Sequence, residues 1–335
     1  MVLVNISSGI TETGVFSEPF REALRQFGEL KLVENGAGMA EEARAALIRQ
    51  CDVLLTCWGS SPVPVAVARE CGRLRYVCNV TGTLRHWIPI EIIEAGIPVT
   101  NWGDAPADEI AEGAMALLLA TLKDLHRQVM AVRRGEWALD QSTSGGTLEG
   151  RNVGIYGCGH IGRRFVEMIR PFGAVLRVFD PYAADVPEGC TGVASLDELF
   201  DASEIIVIHA GLSDETRGSV TAELLARLPR HGVIINTARG GIIAQDALFA
   251  ELESGRLRAG LDVLEPDVLP EDHPARTWEN VILTGHNVGR GWPTGDEPSR
   301  GLQKMHRISL DNLRRLRDGE PLRFAMDCDR YLRST

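Results

Sequence analysis

Apolar positions in the first hundred residues follow two periods. Short apolar runs at Val2–Ile6, Leu30–Val33, Asp52–Thr56, Tyr76–Asn79 and Pro98–Thr100 predict strands. Between them, Ser17–Phe27, Glu41–Gln50 and Val63–Cys71 carry apolar residues three and four apart, which predicts amphipathic helices. Trp58–Pro62 reads as a turn. Alternation of this kind predicts a parallel sheet covered by helices on both faces. Pro106–Arg134 then predicts one long helix, with Ala111, Met115, Leu118, Leu119 and Leu122 on one face and Gly135 at its end. Gln141–Gly146 is polar and glycine-rich, a surface loop.

A second alternation begins at Asn152. Strands are predicted at Val153–Tyr156, Val175–Phe179, Ile205–His209, Val233–Asn236, Ala259–Val263 and Val281–Thr284. Helices are predicted at Ile161–Phe172, Leu196–Phe200, Ala222–Arg227 and Gln245–Ser254. Six strands in this rhythm make a doubly wound unit. Pro298–Arg317 is a last amphipathic helix, most simply packed back on the first unit, which makes that domain discontinuous.

The turn after the first strand of this second unit changes the picture. Gly157, Gly159 and Gly162 form G-x-G-x-x-G between a strand and a helix. The first glycine allows a tight turn, the second lets a pyrophosphate approach the backbone, and the third lets the helix pack close. The helix N-terminus offers N–H groups and partial positive charge to phosphates. Asp180 ends the next strand 18 residues after Gly162, near the spacing of an acid that holds an adenine ribose. An acid there repels a 2′-phosphate, so NAD is expected over NADP, with Arg177 nearby softening the preference. The expected fold is α/β with two doubly wound parallel-sheet domains. A Rossmann NAD-binding domain (102–297) is inserted into a flavodoxin-like domain made of 1–101 and 298–335.

Composition bounds the partners. The 335 residues are 44% hydrophobic and carry a net charge of −11, which argues against non-specific binding to nucleic acid or an anionic membrane. The seven cysteines are odd in number and show no C-x-x-C, so reduced thiols in a cytoplasm are expected, with no disulfide framework and no metal site. Cys158, inside the glycine turn, reads as a small tolerated residue. The chain opens directly on a strand, so no signal segment is expected. Its longest apolar run, Ala114–Ala120, is too short to span a bilayer.

Ligands of open α/β sheets sit beyond the carboxyl ends of strands. In the second unit those ends carry Gly157, Asp180, His209, Thr237-Ala238-Arg239-Gly240, Asp262 and Gly285-His286. An arginine can clamp a carboxylate, a histidine can trade a proton near neutral pH, and a carboxylate can orient that histidine.

Together these stretches resemble the D-isomer-specific 2-hydroxyacid dehydrogenase family. Asn236-Thr237-Ala238-Arg239-Gly240-Gly241 is similar to its Asn-x-x-Arg-Gly segment, Gly260-Leu261-Asp262-Val263 to its Asp-Val segment, and Leu283-Thr284-Gly285-His286 to the segment with the catalytic histidine. His209–Thr216 is similar to its His-x-Pro-Leu-x-x-x-Thr, and Asn101 and Ile110-Ala111-Glu112 match its linker and crossing helix. The resemblance implies an NAD-dependent oxidoreductase that interconverts a small 2-oxo acid and its D-2-hydroxy acid, of glyoxylate, hydroxypyruvate or phosphoglycerate type.

It implies Arg239, Asp267 and His286 as the catalytic set. Cofactor contacts are implied at Gly157, Gly159, His160, Ile161, Gly162, Asp180, Pro181, His209, Ala210, Thr216, Thr237, Ala238, Asp262 and Gly289. Substrate contacts are implied at Thr81, Gly82, Thr83 and Leu84, through the backbone, and at Arg239 and His286. Arg85 and His86 add contacts for an acidic substrate. A homodimer is implied, with the arm at 133–147 embracing a partner.

Three residues depart from the family pattern. Asp267 stands where a glutamate is usual, Gly285 where proline is usual, and Asn287 where an apolar residue is usual. Glu265 is the other acid that could serve His286. Two further readings stay open at this level: an NAD-binding sensor similar to the family's corepressors, and a degenerate dehydrogenase that binds NAD without turnover.

Overall fold

The structure is a computed structural model describing residues 1–8, 15–82, 84–137, 146–289 and 302–333. The chain divides into two compact units, Met1–Pro106 with Pro293–Thr335, and Ala107–Trp292.

The first unit contains β1 (Val2–Ile6), α1 (Glu18–Arg25), β2 (Glu29–Val33), α2 (Glu41–Arg49), β3 (Val53–Thr56), α3 (Ala66–Arg69), β4 (Tyr76–Asn79), α4 (Glu91–Glu94) and β5 (Val99–Thr100). Among the described residues its five strands are all parallel, in the order β2-β1-β3-β4-β5. Apolar cores lie on both faces. Phe20 and Leu24 of α1 pack on one, and Ala45, Ile48, Val67 and Ile92 of α2 to α4 pack on the other. Helices on both faces of a parallel sheet give the doubly wound architecture expected from the alternating pattern. The helix expected over Val63–Cys71 shrinks to α3, because Pro62 and Pro64 restrict the approach and Gly72 follows in a left-handed conformation (φ 59°).

The second unit opens with α5 (Ala107–Leu122) and α6 (Leu125–Arg133), followed by β6 (Asn152–Tyr156), α7 (His160–Ile169), β7 (Val175–Phe179), β8 (Cys190–Gly192), α8 (Leu196–Asp201), β9 (Ile205–Ile208), α9 (Ala222–Arg227), β10 (Val233–Asn236), α10 (Gln245–Glu253), β11 (Arg258–Leu261) and β12 (Val281–Leu283). The expected single helix over Pro106–Arg134 is therefore two. The chain breaks at Asp124, which takes φ 55°, a left-handed conformation that aspartate tolerates better than most residues. Gln128 Nε2 donates to the Lys123 carbonyl at 2.6 Å and satisfies one of the exposed helix-end acceptors.

The sheet has seven parallel strands among the described residues, not six, in the order β12-β11-β10-β9-β6-β7-β8. The additional β8 is three residues long and pairs with β7 at the edge. Cys-Thr-Gly carries no apolar run to announce it. The helix expected to reach Phe172 ends at Ile169 and continues as one 3₁₀ turn, since Pro171 has no N–H to donate. The Gln141–Gly146 loop and the arm at 133–147 fall partly outside the described residues.

α11 (Lys304–Asp318) and α12 (Cys328–Arg333) belong to the first unit. Leu313 of α11 is fully buried in the core that also holds Phe20 and Leu24. The expected helix start at Pro298 lies outside the described residues.

Candidate functional site

In the second unit the order of strands reverses between β6 and β9, and the glycine turn sits at that point. Gly157 has φ 93°, and a Cβ there would lie 2.3 Å from the Ala210 nitrogen. A Cβ on Gly162 would lie 2.2 Å from the Gly157 carbonyl oxygen, so α7 packs as close as a glycine permits. Gly159 differs from both, because a Cβ there would meet no atom within 4 Å. The backbone at 159 thus faces open space at the start of α7, whose first N–H groups have no acceptor within the helix.

Asp180 follows β7. Its Oδ2 accepts from Cys158 N at 2.7 Å and its Oδ1 from Tyr182 N at 2.9 Å. The carboxylate is therefore fixed beside the turn. Arg177 Nη1 is engaged by Asn152 Oδ1 at 2.8 Å. His160 and Pro181 are exposed and Ile161 is half-buried. A cradle open at Gly159 with a fixed carboxylate alongside fits a dinucleotide with an unphosphorylated adenine ribose. Cys158 is buried, and burial pushes its thiol up to about 11, so it stays protonated near neutral pH.

His209 lies one residue past β9, its ring centroid 5.1 Å from that of Phe165. Its Nε2 is buried and has no hydrogen-bond partner among the described residues. Burial pushes the imidazole down to about 3, so it is neutral at any ordinary pH. Ala210 abuts Gly157 through its backbone. Thr216 uses its hydroxyl inside its own turn, accepting from Ser213 N and donating to the Gly211 carbonyl, both at 2.7 Å.

The segments that follow β10, β11 and β12 carry Arg239, Asp262, Asp267 and His286. Asn236 brackets the turn after β10: its Oδ1 accepts from Ala238 N at 3.0 Å and its Nδ2 donates to the Arg239 carbonyl at 2.9 Å. Thr237 is buried, with Oγ1 unpartnered among the described residues. Arg239 is half-buried and donates from Nη1 to the Ala238 carbonyl at 2.7 Å. Burial lowers its pKa, and the charge of Asp267 acts the other way. A guanidinium remains cationic under both influences.

Asp262, buried after β11, organises the loop that carries His286. Its Oδ1 accepts from Thr284 Oγ1 at 2.6 Å, Asn287 N at 2.8 Å and Val288 N at 3.0 Å. Its carbonyl accepts from His286 N at 2.6 Å. Gly285 and His286 are both left-handed, at φ 61° and 58°, and Asn287 Nδ2 donates to the Gly285 carbonyl at 2.6 Å. His286 Nδ1 meets Asp267 Oδ2 in a direct hydrogen bond, and Asp267 Oδ1 accepts from Leu264 N at 3.2 Å. With Nδ1 engaged, Nε2 of this half-exposed ring is the nitrogen left for a ligand. Glu265 is turned elsewhere: it pairs with Arg217 at 2.9 Å, and its main chain is held by the Gln245 side chain. Gly289 packs on α5, where a Cβ would lie 2.2 Å from Ile110 Cδ1.

The substrate-loop residues belong to the first unit, just past β4. Thr81 is fully buried, its Oγ1 unpartnered among the described residues. Its carbonyl accepts from Asn79 Nδ2 at 2.7 Å, and the Gly82 carbonyl accepts from Asn101 Nδ2 at 3.3 Å. Leu84 is buried in the core, which leaves only its main chain for a ligand. Thr83 lies outside the described residues. Arg85 Nη1 is directed to the Leu332 carbonyl at 3.5 Å, and the His86 ring packs near Trp87.

The positioning roles of Thr284 and Asn287 escape a reading of the sequence as chemistry. Both are uncharged polar residues in the turn that follows β12, and that place beside His286 is the one signal that could have found them.

Comparison with known proteins adds a family and a fold. The D-isomer specific 2-hydroxyacid dehydrogenase, NAD binding domain, matches residues 115–288. D-3-phosphoglycerate dehydrogenase of Methanocaldococcus jannaschii is 32% identical over 81% of this chain and 52% of its own length, so the chain spans about half of that relative. Glyoxylate reductase of Korarchaeum cryptofilum is 28% identical over 87% of each chain. The crystal structure of a glyoxylate reductase from Paecilomyes thermophila matches with a TM-score of 0.76 over 97% of this chain and 98% of that one, at 24% identity, which is a likeness of fold.

Proposed function

The chain belongs to the D-isomer specific 2-hydroxyacid dehydrogenase family, and from that premise we propose that it interconverts a small 2-oxo acid and its D-2-hydroxy acid with NAD. The observation that carries the reading is the hydrogen bond that His286 Nδ1 donates to Asp267 Oδ2, beside Arg239. When bound, NAD carries the hydride to or from C2 of the acid. His286 gives a proton from Nε2 to the C2 oxygen in reduction and takes it back in oxidation. Asp267 holds the ring in the tautomer that leaves Nε2 available. Arg239 clamps the carboxylate and faces the developing alkoxide with a fixed charge. Gly157, Gly159, Gly162 and Asp180 hold the dinucleotide, and Asp262 keeps the His286 loop in place. The main chain at Thr81–Leu84 is the first unit's candidate for the substrate carboxylate.

The reading extends to a homodimer, supported by the apolar face of α6, and to a cytoplasmic setting, supported by seven free cysteines. Among the described residues no helix is long and apolar enough to cross a membrane.

The test is steady-state oxidation of NADH across a panel of 2-oxo acids. At least one acid is expected to turn over. His286→Ala should lower kcat by about a hundredfold or more with NADH affinity unchanged. Equal losses in both would remove His286 from proton transfer. NADH binding without turnover of any acid would overturn the dehydrogenase reading.

A further inference from the structure

Two tryptophans flank the substrate loop of the first unit. Trp58 stands two residues past β3 and Trp102 two residues past β5, while Gly82 lies three residues past β4, the strand between them. The two indoles meet across the end of β4, edge to face, with centroids 5.2 Å apart and planes at 90°. Trp102 lies directly on the loop: a Cβ on Gly82 would be 2.6 Å from its Nε1, Cε2 and Cζ2. Trp102 N also donates to the Thr81 carbonyl at 3.3 Å. Trp58 stays 39% exposed. A lone exposed tryptophan needs no explanation. This one sits at the carboxyl ends of neighbouring parallel strands, where ligands of such sheets bind, and joins an indole that caps the loop.

We infer that the acid bound by this loop carries an aromatic or bulky apolar group at C3, which Trp58 and Trp102 cover as specificity-determining residues. The inference rests on the dehydrogenase reading and names its substrate class. An apolar group there removes indole surface from water and gains edge or offset stacking. Glyoxylate has no side chain to do this. A phosphorylated acid would draw a cation, where this loop presents two indoles.

The test compares phenylpyruvate, glyoxylate and phosphohydroxypyruvate as substrates with NADH, in the wild-type protein, Trp58→Ala and Trp58→Phe. Phenylpyruvate is expected to exceed the other two in kcat/KM by about tenfold or more. Trp58→Ala should erase that preference, and Trp58→Phe should restore most of it. Preference for glyoxylate or the phosphorylated acid overturns the inference and leaves the dehydrogenase reading intact, as does a preference unchanged in Trp58→Ala. Calorimetric titration of phenyllactate into the NADH-loaded and NAD-loaded protein separates the remaining outcomes. Saturable binding weakened by Trp58→Ala, without turnover of any acid, upholds the aromatic site and overturns the dehydrogenase reading. Neither binding nor turnover overturns both.

Discussion

At the scale of single residues, the contact between Asp267 and His286 depends on how the backbone presents the ring. Aspartate is one methylene shorter than glutamate, so the histidine must come to it. Gly285 and His286 are both left-handed, and Asn287 holds the Gly285 carbonyl in that turn. Proline, locked near φ −65°, is incompatible with the φ of 61° found at 285. Asp267→Asn keeps the shape but replaces an acceptor oxygen with an amide that can fix the wrong ring tautomer. We expect kcat to fall by about a hundredfold or more with NADH affinity unchanged. A loss of NADH affinity as large as the loss of kcat would make Asp267 a structural residue instead. Arg239, Asp262 and His286 are legible in the sequence because their neighbours form segments with a known pattern. Glu265 and Asp267 are two residues apart in one loop; the family pattern points to Asp267, and Glu265 is the other acid within reach by sequence. The structure places Asp267 on His286 and Glu265 on Arg217.

At the scale of elements, long apolar periodicity carries over features that the backbone does not. The stripe through Pro106–Arg134 runs past Lys123-Asp124 without a break, yet one left-handed residue and a side-chain cap divide α5 from α6. The two helices then diverge in character. The residues of α5 are mostly buried, whereas Leu125, Val129 and Val132 of α6, spaced four and three apart, are each at least two-fifths exposed. Trp137, just beyond α6, is 90% exposed. Apolar residues at this spacing form one face of a helix, and a face left uncovered in this way suits a second copy of the chain. The double change Val129→Glu, Val132→Glu should convert a dimer to a monomer in size-exclusion chromatography with light scattering. A wild-type protein that elutes as a monomer at micromolar concentration would remove the dimer. Three further discrepancies are local: β8 is too short and polar to show a period, α3 is hemmed in by prolines, and α7 passes into a 3₁₀ turn at Pro171.

At the scale of the molecule, stability should depend on keeping two histidines neutral, one in each unit. His306 is fully buried; its Nδ1 accepts from Gln303 N at 3.2 Å and its Nε2 donates to the Val15 carbonyl at 2.8 Å. A proton on Nδ1 would break the first bond, and burial already lowers this pKa. His209 in the second unit is pushed down to about 3 by burial. An unfolded histidine takes up its proton near about pH 6.5. Below that pH the unfolded chain binds protons that the folded chain refuses, so unfolding free energy falls as pH falls, and the contribution is fully present above it. The urea midpoint should therefore drop between about pH 7.5 and about pH 5.5, and His306→Gln, less stable at neutral pH, should show a shallower drop. An identical pH slope in the variant would place the acid sensitivity elsewhere.

The sequence by itself determined the two alternations of strand and helix, the parallel doubly wound architecture, and the separate uses of Gly157 and Gly162. These rest on patterns two to four residues long and on conformations only glycine adopts. Tertiary structure alone decided that a polar tripeptide pairs as β8, that Asp124 breaks a helix, that Glu265 turns to Arg217, and that His306 bonds Val15 from 291 positions away. A hydrogen-bond partner is chosen by register and packing across the fold, and no period along the chain encodes that distance.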